Sequence, residues 1–293
     1  MRKKSGIVST VVLIIILLVG LSVMLYPTVS DWWNKRVQSY AIANYNEAVQ
    51  QLDPERYDSI WNAAYSYNSR LNELASPFTE HDKLTDYNDI LNIGGSGIMG
   101  YISIPVIKVE LPIYHGTSAE VLNIAAGHLE GSSLPVGGEN THAVISAHRG
   151  LPSAKLFTDL DELVIGDTFT VTVLDEILTY EVEDIFIVEP DKTEKLAVIP
   201  DGDYVTLMTC TPYGINSHRM LIRSHRIETI YEHNVKVDTD AVKVDEMLVI
   251  PFIAAPLVLI LIIFWFFGSG KKGRKRTRKD YLNLVSSIKE VGL

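Results

Sequence analysis

Cysteine is almost absent from this chain, since Cys210 is the only one among 293 residues. An internal disulfide needs two thiols, so the class of small secreted domains held together by disulfides is excluded. The fold must therefore rest on an apolar core, which a chain of this length can supply. The lone thiol is either a small buried hydrophobe or a reactive nucleophile, and composition does not separate these two alternatives.

Charge is absent from two long runs, Ile7 to Tyr26 and Met247 to Gly268. Each run is about as long as the roughly 20 apolar residues that cross a bilayer. A cleavable signal peptide would have a shorter apolar core followed by small residues, whereas bulky Trp32 and Trp33 follow the first run. We therefore predict an uncleaved membrane anchor at the first run and a second membrane span at the other.

Positive charge is scarce between the two runs. Residues 28–246 carry 15 Lys and Arg against 34 Asp and Glu, a net charge of −19, whereas the two ends carry 11 against 2. Because basic residues flank the outer side of both runs, both termini are expected in the cytoplasm and the middle of the chain outside the cell. An acidic exterior domain argues against nucleic acid as a partner. The basic tail beside the second run is explained by topology and anionic lipid.

Helical periodicity follows the first run and then gives way to alternation. Residues 31–52 and 54–71 have apolar side chains at three-and-four spacing, and Asp53 with Pro54 forms a helix start between them. Short β-like runs punctuated by Gly, Pro and Asp then follow at 98–104, 109–113, 143–146, 168–173, 178–182, 185–188, 204–209 and 219–223. Such strands indicate a closed barrel or a sandwich. Helical patterning between them is limited to 117–126 and 153–160, which disfavours a doubly wound α/β fold.

Three side chains of this region are candidates for chemistry. A thiol reacts as the thiolate and needs a basic or cationic neighbour. Cys210 and His148 each follow a β-like run, where a side chain projects into a site from a rigid backbone. A turn after Cys210 leads to Arg219, so a hairpin would bring this guanidinium beside the sulfur, where it stabilises a thiolate or an oxyanion. His142, at the other end of the same run as His148, is expected to point away.

The run Thr206-Leu207-Met208-Thr209-Cys210 resembles the Thr-Leu-x-Thr-Cys signature of sortases, the membrane-anchored cysteine transpeptidases of Gram-positive bacteria. The upstream Ser146-Ala147-His148-Arg149-Gly150 and the downstream Arg219 follow the family's order of His, Cys and Arg. The resemblance covers about Gly97 to Ile227. It implies an eight-stranded β-barrel in which those three residues are catalytic.

The stretch Thr209-Cys210-Thr211-Pro212-Tyr213-Gly214, the paired N-terminal helices and the second span are similar to class C, the pilus-building sortases. This likeness implies cleavage of a Leu-Pro-x-Thr-Gly-like (LPxTG-like) sorting signal between Thr and Gly. The acyl group would then pass to a lysine amine of another pilin. The implied partners are pilins or surface proteins that carry the signal, the acceptor lysine and the membrane.

Class C sortases also carry a lid with an Asp-Pro-aromatic motif, whose Asp pairs with the catalytic arginine. The matching position here reads Ser76-Pro77-Phe78. A serine cannot form the charge-assisted pair. We therefore expect a lid held mainly by Phe78 packing and more readily opened, the alternative being a plain turn between elements.

The predicted fold is mainly β: a closed eight-stranded barrel with short helices, preceded by two amphipathic helices and flanked by two transmembrane helices. The predicted segments are the N-terminus and anchor (1–27), the helices and lid (28–97), the catalytic barrel (98–230), a linker (231–246), the second transmembrane helix (247–268) and a basic cytoplasmic tail (269–293).

The expected chemistry is acyl transfer in two steps, with Cys210 as nucleophile, His148 as acid and base, and Arg219 holding the oxyanion or the substrate backbone. The same residues would serve a hydrolytic cysteine protease. Further alternatives are a housekeeping sortase that attaches surface proteins to peptidoglycan, and a non-catalytic membrane-tethered scaffold. No cofactor is expected, and scattered acidic residues without a recurring ligand spacing predict no metal site.

Overall fold

The computed structural model describes residues 3–229, with side chains from residue 9 onward. The predicted linker, the second membrane span and the basic tail lie outside the described residues. Apart from the N-terminal helix, the described chain consists of a second helix, short helical turns and a β-barrel.

Helix α1, Lys3–Gln50, is continuous over 48 residues although Pro27 lies inside it. Proline removes one backbone hydrogen bond and costs helix stability, yet here the helix runs on. The predicted anchor and the first predicted amphipathic helix are therefore one element. None of its most apolar stretch is buried against the protein, and by length and composition the helix is able to cross a membrane.

Helix α2, Pro54–Asn72, begins where the sequence predicts it. Asp53 accepts a hydrogen bond from Arg56 N at 2.8 Å, which caps the helix, and Pro54 occupies the first turn. Asn68 joins α2 to the barrel, because its side chain donates to Leu134 O at 3.2 Å and accepts from Leu134 N at 2.7 Å. Two further helices, α3 and α4, are single turns at Pro77–Glu80 and Ala119–Leu122.

Eight strands form the closed barrel that the sequence predicts, in the order β1-β2-β3-β4-β7-β8-β6-β5. The strands are β1 Ile98–Ile104, β2 Val109–His115, β3 Ala126–His128, β4 Thr141–Ser146, β5 Thr168–Val173, β6 Glu176–Val188, β7 Asp203–Thr211 and β8 His218–Ile227. Two neighbouring pairs are parallel, β2 with β3 and β4 with β7. The other neighbours are antiparallel.

The details of the strands differ from the sequence prediction in three places. The runs at 178–182 and 185–188 form one strand, β6, because a bulge between Val182 and Asp184 absorbs an extra residue without ending the pairing. Strand β3 is only three residues long and was not predicted. The candidate helix at 153–160 is absent, since this stretch folds as turns, whereas α4 lies inside the candidate helix at 117–126.

Alternation along the strands produces two apolar clusters. The larger fills the barrel and includes fully buried Ile102, Val205 and Leu207. The smaller, here called the outer cluster, lies on the outer face of β4, β7 and β8. Its members are Val144, Leu196 and Leu221, with Phe78, Leu129, Phe186, Val188 and Met208 packed against them.

Candidate active site

Cys210 lies on the outer face of strand β7. Val205 and Leu207 point into the barrel and are completely buried, so the alternation of the strand turns Met208 and Cys210 outward. Cys210 is only partly buried. The thiol is therefore not a small buried hydrophobe of the core. Of the two alternatives that composition left open, the reactive thiol remains.

The hairpin of β7 and β8 sets Arg219 directly opposite Cys210. Side chains of directly opposed residues share one face of the sheet, with Cβ atoms about 4.5 to 5.5 Å apart. The guanidinium donates hydrogen bonds to the carbonyl oxygens of Asn216 at 3.4 Å and His218 at 3.2 Å. Among the side chains that the structure describes, no carboxylate forms an ion pair with Arg219. Its charge is thus available to a ligand at the sulfur.

His148 follows the strand that runs parallel to β7. The register pairs Ser146 with Met208, and the ladder continues as Ala147 N donates to Met208 O at 3.2 Å. Extending this register by two residues brings the backbone of His148 level with Cys210. Partial burial lowers the pKa of the His148 imidazole, because burial disfavours the charged ring.

The loop that carries His148 is packed against the turn that follows Cys210. Arg149 forms an ion pair with Asp161, and its guanidinium lies 5.9 Å from the ring centre of Tyr213. Gly150 has a φ of +75°, and a Cβ there would approach the Tyr213 ring to 2.8 Å. Sequence reasoning missed Tyr213 as the residue that joins the two loops. The signal in the sequence that could have indicated this contact is Gly150, since a glycine marks a place where another group approaches the backbone closely.

A groove of about 410 Å³ opens beside this site, and Arg219, Met208 and Phe78 are among its lining residues. Its apolar floor belongs to the outer cluster, with Leu221 from β8, Val188 from the end of β6 and Leu196 from the connection between β6 and β7. The site therefore joins a thiol and a cation to a partly apolar channel on the barrel surface.

Helix α3 places the predicted lid residues at this groove. Pro77 and Phe78 lie so close to Gly131 that a Cβ there would be 2.9 Å from both Pro77 O and Phe78 Cα. Phe78 packs against the outer cluster. Ser76 precedes the helix without a side-chain capping hydrogen bond. Packing of the aromatic ring is thus the main contact of this segment with the groove.

The chain after the lid is fixed by buried polar groups. Tyr87 Oη lies 2.9 Å from His128 Nδ1, and it accepts a hydrogen bond from Gly116 N at 2.9 Å. Burial lowers the pKa of His128 to about 4, so this histidine is neutral at ordinary pH. Its Nε2 lies 2.8 Å from Ser133 O and therefore carries the proton, which leaves Nδ1 to accept from Tyr87. These contacts hold the lid's C-terminal side to the barrel.

His142 serves as a structural link instead of a site residue. Its ring nitrogens lie 2.8 Å from Ala197 O and 2.7 Å from Thr206 Oγ1, and the residue is completely buried. Burial lowers its pKa, so the neutral ring ties β7 to the connection that walls the groove. Within residues 9–229, no group of three or more His, Cys, Asp or Glu side chains is arranged to hold a metal ion.

Comparisons with known proteins agree with this geometry. A family model described as the sortase domain matches residues 102–227. Sortase A of Streptococcus agalactiae is 32% identical over 117 residues, which is 39% of this chain and 47% of that protein. Sortase D of Bacillus subtilis is 33% identical over 115 residues, or 39% of this chain and 55% of that protein. The matched region thus spans about half the length of these curated relatives.

Solved structures match over a larger share of the chain. The crystal structure of sortase C1 from Streptococcus agalactiae is 47% identical with a TM-score of 0.60, and the match covers 65% of this chain and all of that one. Sortase C-1 from Streptococcus pneumoniae is 44% identical with a TM-score of 0.58, over 65% of this chain and 100% of the other. Identity at this level over an entire solved chain goes beyond a shared fold, and the protein therefore belongs to the sortase family.

Proposed function

We propose that the protein is a membrane-anchored cysteine transpeptidase that cleaves an LPxTG-like sorting signal between Thr and Gly and joins pilin subunits through a lysine amine. The observation that carries this proposal is the pairing of Cys210 with Arg219 beside the groove, with His148 at the end of the adjacent parallel strand. The likeness to the sortase C1 structures and the aromatic lid residue support the pilin-joining part of the proposal.

In the first step, His148 takes the proton of the Cys210 thiol, and the resulting thiolate attacks the carbonyl carbon of the scissile threonine. The bond between that carbon and the glycine nitrogen breaks as His148 donates a proton to the departing amine. A thioester between Cys210 and the threonine remains. The Arg219 guanidinium stabilises the negative charge on the threonine oxygen, because it lies on the same face as the sulfur and has no carboxylate partner among the described side chains.

In the second step, the amine of an acceptor lysine attacks the thioester carbonyl. His148 removes a proton from this amine, the carbon–sulfur bond breaks, and an isopeptide bond joins the two proteins. The neutral state that burial favours for His148 suits this role as a base. His148 returns this proton to the Cys210 sulfur, so the thiol and the neutral imidazole are regenerated and the atoms balance over one turnover without a cofactor.

The groove beside the site is the proposed seat of the sorting signal. Its floor offers Leu196, Leu221 and Val188 to an apolar side chain such as the leucine of the signal. Phe78 now packs against part of this floor, so the lid must move before the signal enters. Helix α1 would keep the site at the outer surface of the membrane. The second span at 247–268 and the cytoplasmic placement of both termini belong to the same proposal.

The test is incubation of the full chain in detergent with pilins that carry an LPxTG-like signal, followed by electrophoresis under denaturing conditions. Wild-type protein should give covalent ladders, and Cys210→Ala should give none. Replacing the acceptor lysine of the pilin should leave a thioester intermediate and remove the ladders.

Other outcomes would contradict the proposal in distinct ways. Release of the cleaved signal without joining would indicate a hydrolytic protease. Transfer only to a peptidoglycan amine would indicate a housekeeping sortase. Ladders from both proteins would show that the joining does not depend on Cys210, and no reaction with any substrate would leave the scaffold alternative.

A further inference from the structure

The barrel contacts α1 immediately after the apolar run. Asp31 Oδ1 accepts a hydrogen bond from Lys155 N at 2.7 Å, and Asn34 Nδ2 donates to Ser153 O at 2.7 Å. Between these two contacts lie Trp32 and Trp33, which are 41% and 60% exposed. Tryptophan at the end of an apolar span is typical of the interface between acyl chains and headgroups. The loop at 153–155 therefore lies at the level of this aromatic pair.

The rise of the helix gives the scale of this arrangement. Asp31 is five residues beyond Tyr26, the end of the uncharged run, and a helix rises about 1.5 Å per residue. The barrel loop is thus within about 8 Å of the end of the apolar run, measured along the helix axis. A headgroup layer is of similar thickness, so no spacer separates the barrel from the bilayer.

The direction of α1 also defines which end of the barrel is near the membrane. Further along the helix, Gln38 Nε2 donates to Ile124 O at 2.7 Å and Tyr45 Oη donates to Met99 O at 3.0 Å. Met99 lies near the start of β1. Lys155, which contacts Asp31, donates a hydrogen bond of 3.5 Å from Nζ to Ile107 O, just past the end of β1. The end of β1 therefore faces the membrane and its start faces away.

Strand directions carry this polarity around the barrel. Strand β1 ends on the membrane side, and the antiparallel and parallel pairings make β4, β6 and β7 end there as well. Strands β5 and β8 accordingly begin there. Cys210 and His148, at the C-terminal ends of β7 and β4, lie at the membrane end of the barrel.

Exposed apolar side chains gather at the turns of this same end. Val106 is 52% exposed, Val164 60%, Ile165 68% and Ile215 73%. They come from three separate turns, after β1, before β5 and between β7 and β8. Of the described turns at the opposite end, none exposes a large aliphatic or aromatic side chain. We call these four residues the apolar rim.

We propose that the apolar rim rests in the headgroup layer of the bilayer that anchors α1, so that the active-site end of the barrel faces the membrane. This inference rests on the proposed membrane span of α1. The occupant is the lipid surface because the turn that carries Val106 is joined to the span: Asp31 contacts Lys155, and Lys155 donates to Ile107 O in that turn. Amphipathic contact of this kind depends on the apolar area that enters the interface.

Apolar contact, not charge, is the expected basis of this docking. Lys155 and Lys108 lie near the rim, but Lys155 is paired with Asp159, and Asp161, Glu162 and Asp167 flank Val164 and Ile165. The acidic groups offset the attraction of the lysines for anionic lipid. Docking is therefore expected on zwitterionic phosphatidylcholine alone.

The test places single cysteines in the full Cys210→Ala chain and labels each with an environment-sensitive fluorophore in phosphatidylcholine nanodiscs. Ile165→Cys reports the rim, Glu139→Cys reports the exposed turn at the opposite end, and Leu17→Cys reports the span. A quencher attached to lipid should reduce the Ile165→Cys and Leu17→Cys signals several-fold more than the Glu139→Cys signal. A soluble quencher should show the reverse order.

Two results overturn different parts of the inference. If the Leu17→Cys label escapes the lipid quencher, α1 does not span the bilayer and the proposed anchoring fails. If that label is quenched while Ile165→Cys and Glu139→Cys respond alike, the span stands and the docking of the rim is wrong. A second variant, Val164→Ser with Ile215→Ser, should reduce the lipid quenching of the Ile165→Cys label, and unchanged quenching would also contradict the proposal.

Discussion

The thiol of Cys210 takes its chemical setting from residues of two other segments. Arg219 faces it across the hairpin, and His148 comes level with it from the parallel strand β4. Arg149 and Gly150 then hold the histidine loop against Tyr213. The position of Arg219 is fixed by strand pairing, whereas the position of the His148 ring depends on packing between two loops.

Replacing Arg219 tests its proposed role at the oxyanion. Arg219→Ala should lower kcat/KM for a peptide with an LPxTG-like signal by about 100-fold or more, the usual effect of removing one oxyanion donor. Arg219→Lys should recover only part of this loss, because an ammonium lacks the planar fork of donors. Circular dichroism controls for folding. Activity of Arg219→Ala within a few-fold of wild type would contradict the role.

The pKa of His148 gives a second prediction at this scale. Burial favours the neutral ring, so the folded protein holds this proton less tightly than a free histidine, whose pKa is about 6.5. The acid limb of kcat/KM should therefore lie below that value. NMR titration of the labelled imidazole, assigned with His148→Gln, would measure the midpoint directly. A midpoint at or above the free value would show that a negative partner outweighs burial.

At the scale of elements, the lid and the hairpin differ in how firmly they are held. Strands β7 and β8 pair without interruption over residues 204–211 and 218–225, whereas α3 is a single turn. Phe78 packs in the outer cluster and Tyr87 fixes the chain further on. The chain between them is held as well, because Leu84 is buried in the larger apolar cluster and Asp86 pairs with Arg70, so opening of the lid is expected to be confined to α3.

Variants of the lid should change access to the thiol. Phe78→Ala should increase the rate at which a thiol reagent alkylates Cys210 several-fold, because the ring no longer covers the groove. Ser76→Asp restores the carboxylate of the class C motif and should slow alkylation by pairing with Arg219. Amide exchange over residues 70–90 provides an independent measurement. Equal alkylation rates in all three proteins, with exchange as slow as in the barrel, would contradict a lid held by Phe78.

At the scale of the whole molecule, stability should depend on pH through the buried His128. Its pKa is about 4 in the folded protein and about 6.5 when unfolded, so the unfolded chain binds the proton more tightly. The contribution of His128 to the free energy of unfolding is then fully present above a pH of about 6.5, and about 3 kcal/mol of it is lost as the pH drops to about 4. Denaturant unfolding of the full chain in detergent would measure this slope.

His128→Gln is the matched variant for this measurement. It should be less stable than wild type at neutral pH, since Tyr87 and Ser133 lose partners. Its unfolding free energy should nevertheless fall less steeply than that of wild type as the pH drops. The difference between the two slopes should correspond to about one bound proton. Parallel slopes for the two proteins would assign the acid sensitivity to other groups.

Much of the architecture follows from local patterns that a sequence displays. Alternation in 204–209 and 219–223, separated by a turn rich in Pro, Gly and Asn, predicted the hairpin that opposes Cys210 and Arg219. Strand β3 was missed because three residues are too few to show a period. The continuity of α1 through Pro27 was missed because proline normally marks a boundary.

The sequence by itself determined the single thiol, the apolar run able to span a bilayer, the short alternating strands and the hairpin partner of the cysteine. Each depends on composition or on residues close together in the chain. Only the tertiary structure decided that β4 lies parallel to β7, which brings His148 to Cys210 across more than 50 residues of chain. It also decided that Phe78 packs at the groove and that the apolar rim lies at the same end as the site. Those placements come from packing between distant elements, which leaves no periodic signal in the sequence.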